Sequence, residues 1–143
     1  MKLLYVLFVF IFSALGIQKS TQENPWTESQ LMAPEVLAKK ITDNNLKNTL
    51  ILSIGYAGVI KNSVEMGPAS DSEDLAKLKS YLKNVKKDKE IVIYCGCCPF
   101  SHCPNIRPAF STLKEMGFKN IHLLNLKNNV KTDWLDQNYP SNN

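Results

Sequence analysis

A strand-like run that leads straight into a cysteine-rich loop is the feature that most constrains how this chain can fold. Residues 91–94 (Ile-Val-Ile-Tyr) are apolar and mostly β-branched, and they lack the alternation of a half-exposed strand, so they predict a central strand covered on both faces. The next residues, 95–104 (Cys-Gly-Cys-Cys-Pro-Phe-Ser-His-Cys-Pro), are called the cysteine loop below. This loop contains all four cysteines and one of the two histidines, so any chemistry is expected there.

Apolar residues at helical spacing predict three helices around this strand. The first covers residues 34–42, and Leu31 belongs to the same apolar stripe. The second begins at a capping box over residues 70–73. The third follows the cysteine loop with Asn105 as its N-cap, because Pro108 then falls in the first turn, where a missing N–H is tolerated. The cysteine loop would therefore run directly into a helix N-terminus.

Strand patterns cover residues 49–54, 91–94 and 120–126, while residues 56–70 have the composition of a loop. Strands that alternate with helices predict an α/β fold with a central, mainly parallel sheet flanked by helices. A chain of 143 residues suffices for one such domain with its own hydrophobic core. The net charge of +4 comes from scattered lysines without an arginine cluster, which indicates a solvated surface and no nucleic-acid partner.

The first residues have the pattern of a signal peptide. Lys2 precedes an unbroken apolar run over residues 3–12, and small residues up to Gly16 predict cleavage after that glycine. The apolar run is too short to span a membrane comfortably, so we expect an exported, periplasmic protein with no membrane span after cleavage. The chain then divides into a signal peptide, a flexible lead-in and one folded domain: residues 1–16, 17–25 and 26–143.

The position of Cys95, after a central strand and before a helix, predicts a reactive thiolate. Parallel α/β proteins commonly place active sites at the carboxyl ends of their strands. Backbone N–H groups of the loop and the helix dipole favour an anion, so the pKa of Cys95 should be lowered and its sulfur should be nucleophilic. Cys97, Cys98 and Cys103 follow in the same loop, where they would either resolve an oxidised Cys95 or bind a metal.

The second half of the chain resembles the rhodanese-like sulfurtransferases, in particular their exported single-domain bacterial type. The resemblance rests on residues 94–95 at a strand end, on residues 116–121 (Met-Gly-Phe-Lys-Asn-Ile), on Trp134 and on residues 138–140 (Asn-Tyr-Pro). Residues 59–63 are more weakly similar to an earlier segment of the family. The resemblance implies a rhodanese-like fold for the domain.

The same resemblance implies a function for the cysteine loop. Cys95 would carry a persulfide, taking a sulfane sulfur from a small anionic donor such as thiosulfate and passing it to a thiophilic acceptor, without a cofactor. Backbone N–H groups of the loop would stabilise the persulfide charge, and a nearby arginine would attract the donor. The residues expected to form this site around Cys95 are Gly96, Cys97, Cys98, Pro99, Phe100, Ser101 and Arg107.

Other interpretations of the cysteine loop stay open. Cys97, Cys98, His102 and Cys103 are soft ligands suited to Cu(I) or Zn(II), or they form a thiol-redox module, although adjacent cysteines rarely point to one metal. A structural disulfide, for instance between Cys98 and Cys103, is also compatible with export. Finally, Cys95 would be a buried structural thiol if the fold only binds a partner.

Overall fold

A single sheet of five parallel strands forms the centre of the computed structural model, which describes residues 23–56 and 58–142. The predicted signal peptide, residues 1–16, and most of the lead-in lie outside the described residues. The strands are β1 (Leu31–Met32), β2 (Thr49–Ser53), β3 (Ser63–Glu65), β4 (Glu90–Tyr94) and β5 (Ile121–Leu124). Their order across the sheet is β1-β5-β4-β2-β3, and every neighbouring pair is parallel. The predicted α/β fold with a parallel sheet is therefore confirmed.

Strand β4 lies in the middle of the sheet, as its unbroken apolar sequence predicts. Ile91 and Ile93 belong to the hydrophobic core on one face, whereas Val92 and Tyr94 belong to the core on the other face. All four are fully buried, because both faces of the strand are covered. The first residue after β4 is Cys95, so the topology places the cysteine loop at the carboxyl edge of the sheet.

Helices cover both faces of the sheet. Helix α1 (Pro34–Thr42) lies on one face, with a π-helical turn at Lys131–Leu135 that buries Trp134. Helices α2 (Ser72–Leu82) and α3 (Ile106–Glu115) lie on the other face and contact one another. Within the described residues, no helix is both long and apolar enough to cross a membrane. The bounds of α1 agree with the prediction from its apolar stripe.

Two short strands were not predicted from the sequence. Leu31 lies in β1 and pairs with Leu123 of β5, so its assignment to the stripe of the first helix was wrong. Strand β3 lies within residues 56–70, which had been assigned to a loop, and it pairs with β2. Strands of two and three residues are too short to show a hydrophobic period, and only pairing along an existing strand defines them.

The start of α2 also differs from the prediction. The N-cap is Asp71, whose carboxylate accepts hydrogen bonds from the backbone N–H groups of Glu73 and Asp74 at 2.8 and 3.3 Å. The predicted capping box over residues 70–73 started one residue too early. The reason is that the backbone N–H of Ser70 is already bound to the side chain of Asn105, at 3.0 Å, which ties this turn to the start of α3.

Candidate active site

Cys95 occupies the carboxyl end of the central strand, with its side chain inside the protein. The residue is 3% exposed and packs in the same apolar cluster as Ile106 and Phe110 of α3. The N–H of Ile54 donates to the carbonyl of Tyr94 at 2.9 Å, which continues the β2–β4 pairing to the residue just before the thiol. The backbone that presents this sulfur is therefore part of the rigid sheet.

The side chain of Asn105 is a contact of the Cys95 sulfur that sequence reasoning missed. Asn105 is the N-cap residue of α3, as predicted, but its side chain makes no capping hydrogen bond. Its Nδ2 group donates instead to Cys95 Sγ at 3.3 Å, while its Oδ1 accepts from the N–H of Ser70. With only 3% exposure, this amide is held in one orientation, so that its N–H points to the sulfur. The sequence could have indicated this contact, because Asn105 directly follows the cysteine loop.

The cysteine loop brings several sulfur atoms together. Cys97 Sγ lies 3.5 Å from Cys95 Sγ and 3.0 Å from Cys98 Sγ. The sulfurs of Cys95, Cys97 and Cys103 all lie within 4.8 Å of one another. All four cysteines are free thiols, with Cys95 and Cys103 buried, Cys98 half-buried and Cys97 exposed. The thiols of the loop are thus close together but range from buried to exposed.

The surroundings favour a negative charge on Cys95. A hydrogen bond from the Cys103 thiol is the largest cause, and together with the Asn105 amide and the Cys97 backbone N–H it lowers the pKa of Cys95 to about 5, against the opposing effect of burial. Burial and the neighbouring thiols raise the pKa of Cys97 to about 12. The pKa of Cys103 is also raised, mainly because its thiol donates to Cys95. One thiolate surrounded by protonated thiols is the expected state at neutral pH.

Gly55 leaves the space that the Cys95 sulfur occupies. A Cβ atom at this position would lie 2.9 Å from Cys95 Sγ, closer than a carbon and a sulfur atom can approach without movement. Gly55, two residues after the end of β2, thus helps to shape the site.

We expect Gly55→Ala to lower the free energy of unfolding by about 1–3 kcal/mol, because the added methyl group must push the Cys95 sulfur aside. Gly58→Ala is the matched control, since its Cβ would meet its nearest neighbour, Glu65 Oε2, at an ordinary 3.4 Å. Urea unfolding of both variants measures the difference. Equal stability of the two would show that the sulfur is not confined at Gly55.

Two backbone hydrogen bonds connect the rest of the cysteine loop to the segment that follows β5. The N–H of Phe100 donates to the carbonyl of Leu126 at 3.0 Å, and the carbonyl of Gly96 accepts from the N–H of Val130 at 3.0 Å. The predicted persulfide cradle therefore cannot use the N–H of Phe100, and Pro99 has none. Of the predicted loop amides, that of Cys97 is directed at Cys95 Sγ.

Three predicted side chains contact groups other than the cysteine sulfurs. Ser101 and His102 are exposed, and His102 Nδ1 lies 2.9 Å from Ser101 Oγ. Arg107 donates to Asn24 Oδ1 at 2.6 Å, and its guanidinium carbon lies 5.4 Å from the ring centroid of Trp26. The role of Arg107 in attracting an anionic donor stays a prediction.

The thiols that could share one metal differ from the predicted set. Cys95, Cys97 and Cys103 form the close group, whereas the sequence suggested Cys97, Cys98, His102 and Cys103. The difference arises because the loop folds back over the end of β4, so Cys95 faces Cys103 across the turn. Three sulfurs at this separation are compatible with one soft cation.

Fold and site together define the class of parallel α/β domains that hold a cysteine thiolate at the carboxyl end of the central strand. Comparison with solved structures places the chain more narrowly. It resembles the single-domain sulfurtransferase RDL2 of Saccharomyces cerevisiae, with a TM-score of 0.52 and 11% identity over 82% of this chain and 94% of that one. It also resembles a Lactobacillus plantarum protein, with a TM-score of 0.58 and 16% identity over 80% of this chain and 89% of that one. The chain therefore has a rhodanese-like fold, as its sequence motifs predicted.

A third similar structure is that of the protein EanB, which has also been solved with hercynine. The TM-score is 0.58 and the identity 16%, over 79% of this chain. The match spans only 27% of EanB, so the chain corresponds to about a quarter of that protein. No protein-family model and no curated protein sequence matches the chain.

Proposed function

We propose that this protein is a sulfurtransferase that moves a sulfane sulfur from a small anionic donor such as thiosulfate to a thiophilic acceptor. The observation that carries the proposal is the environment of Cys95: a buried sulfur at the end of the central strand, with hydrogen-bond donors from Cys103, Asn105 and Cys97 that lower the pKa of its thiol. The rhodanese-like fold supports it, because RDL2 of similar fold is a sulfurtransferase.

The chemistry needs only the thiolate. Cys95 Sγ attacks the sulfane sulfur of thiosulfate, the S–S bond of the donor breaks, and sulfite leaves with the bonding electrons. The product is a Cys95 persulfide. The acceptor then attacks the terminal sulfur, and the Cys95 thiolate leaves with the electrons of the second S–S bond. A thiol of lowered pKa is a good leaving group, and the donors around Cys95 stabilise the charge that returns to it.

Two further parts of the proposal concern where and how the reaction occurs. We place the protein in the periplasm, on the pattern of residues 1–16. In that oxidising compartment, the reaction requires a reductant that keeps the thiols of the cysteine loop free. The donor is expected to be a small anion and the acceptor a thiophile, and we expect no cofactor.

A soft metal ion is the competing candidate, which the closeness of three sulfurs favours. Cu(I) or Zn(II) bound by Cys95, Cys97 and Cys103 would use the same sulfur that the persulfide needs, so the two functions exclude each other at one time. The metal would also have to displace the protons of Cys97 and Cys103, whose pKa values are raised. For this reason we favour sulfur transfer.

Intact-protein mass spectrometry under native conditions, combined with metal analysis, separates these functions. The reduced protein is expected to gain the mass of one sulfur atom on incubation with thiosulfate and to lose it on addition of cyanide. Sulfate, which has no sulfane sulfur, is the matched control and should add nothing. Stoichiometric copper or zinc without any gain of sulfur would overturn the proposal.

A further inference from the structure

The thiol that takes up sulfur and the thiol that an acceptor can reach are different residues. Cys95 is 3% exposed, so the thiol of a folded protein cannot reach its sulfur, and only a small molecule such as thiosulfate is suited to load it. Cys97 is exposed, and its sulfur lies 3.5 Å from that of Cys95. This distance is already that of direct contact between the two sulfur atoms.

We propose that Cys97 is the residue that delivers the sulfur: it takes the sulfane sulfur from the Cys95 persulfide and presents it to the thiol of a protein or peptide acceptor. The proposal rests on the sulfurtransferase function proposed above. It adds a second step inside the protein and assigns the acceptor to the class of macromolecular thiols.

The step is balanced without an added oxidant or reductant. The Cys97 sulfur attacks the terminal sulfur of the Cys95 persulfide while its proton passes to that same terminal sulfur, so no free Cys97 thiolate is formed. A new S–S bond forms on Cys97, and the S–S bond on Cys95 breaks. The bonding electrons return to Cys95, which becomes the thiolate again, and the proton stays on the transferred sulfur.

The other two cysteines are less suited to deliver the sulfur. Cys103 is close to Cys95 but fully buried, so it would only move the sulfur deeper into the core. Cys98 is half-buried, and its recorded sulfur contact is with Cys97 at 3.0 Å. Cys97 alone among the four cysteines combines contact with Cys95 and exposure to solvent.

The test compares the wild type with Cys97→Ser and, as a control outside the cysteine loop, with Ser80→Ala at an exposed position of α2. Each protein is loaded with thiosulfate, and the loaded form is then mixed either with cyanide or with reduced thioredoxin as a protein-thiol probe. The quantity compared is the ratio of the two transfer rates, because this ratio cancels any change in the reactivity of Cys95. We expect Cys97→Ser to lower the thioredoxin-to-cyanide ratio by at least about tenfold, and Ser80→Ala to leave it within about threefold of the wild type.

Fragment mass spectrometry of the loaded, alkylated proteins gives a second readout. The sulfane sulfur is expected on Cys97 as well as Cys95 in the wild type, and on Cys95 alone in Cys97→Ser. An unchanged ratio in Cys97→Ser, together with sulfur found only on Cys95 of the wild type, would overturn the delivery step while leaving sulfur uptake intact. If the wild type takes up no sulfur at all, the proposed sulfurtransferase function fails first.

Discussion

A Cys95→Ser variant is expected to take up no sulfur from thiosulfate and to lose at least about 10⁴-fold in kcat/KM for sulfur transfer. The hydrogen-bond donors around this position lower the pKa of a thiol, but a serine hydroxyl remains protonated and cannot form a persulfide. Both half-reactions therefore disappear together. Stopped-time assays with thiosulfate and cyanide, and the mass of the protein after incubation with thiosulfate, measure the loss.

Ser80→Ala serves again as the control, because it changes an exposed residue of α2 and leaves the cysteine loop intact. It should take up one sulfur like the wild type. Full activity of Cys95→Ser would mean that another thiol carries the sulfur, and no activity in either protein is expected if the fold serves only to bind a partner. A change in bound copper or zinc as the sole effect would assign Cys95 to a metal site.

The second large effect is expected from Asn105→Asp. The variant keeps the size of the side chain and an oxygen for the N–H of Ser70, but it replaces the Nδ2 donor to Cys95 with a carboxylate oxygen. Loss of the donor and the added negative charge both disfavour the thiolate, so the pKa of Cys95 should rise from about 5 toward its ordinary value. At pH values between the two pKa values, sulfur uptake should fall about tenfold for each unit by which the pKa of the variant exceeds the pH.

Ultraviolet absorbance of the thiolate during a pH titration measures this change directly. In the wild type one thiolate is expected to appear as the pH rises through about 5, and in Asn105→Asp the same step should move to higher pH. Asn84→Asp, at an exposed position, adds the same charge far from the site and should leave the step in place. If the buried carboxylate prevents folding, Asn105→Ala removes the donor without adding charge. A titration step that stays in place in both Asn105 variants would show that this amide does not stabilise the thiolate.

Much of the architecture around the site could be predicted from local sequence patterns. The apolar stripe of α1 gives its period within nine residues, and the unbroken apolar run of β4 indicates burial on both faces. Strands β1 and β3 could not be predicted, because each exists only through pairing with a longer neighbour. A local sequence pattern indicates which face of a helix or strand is apolar, but it does not indicate which segments of the chain pack together.

The same distinction applies to the candidate site. The order of residues by itself determined that Cys95 ends a buried strand, that a helix begins at Asn105, and that every thiol lies between or at these points, since these are properties of neighbours along the chain. Only the tertiary structure decided that the Asn105 amide points to the Cys95 sulfur and that Cys97 is the exposed thiol in contact with it. The physical reason is that hydrogen bonding and burial depend on the distances from the cysteine loop to α3 and to the segment after β5. These distances are set only when the helices and strands pack into the complete domain.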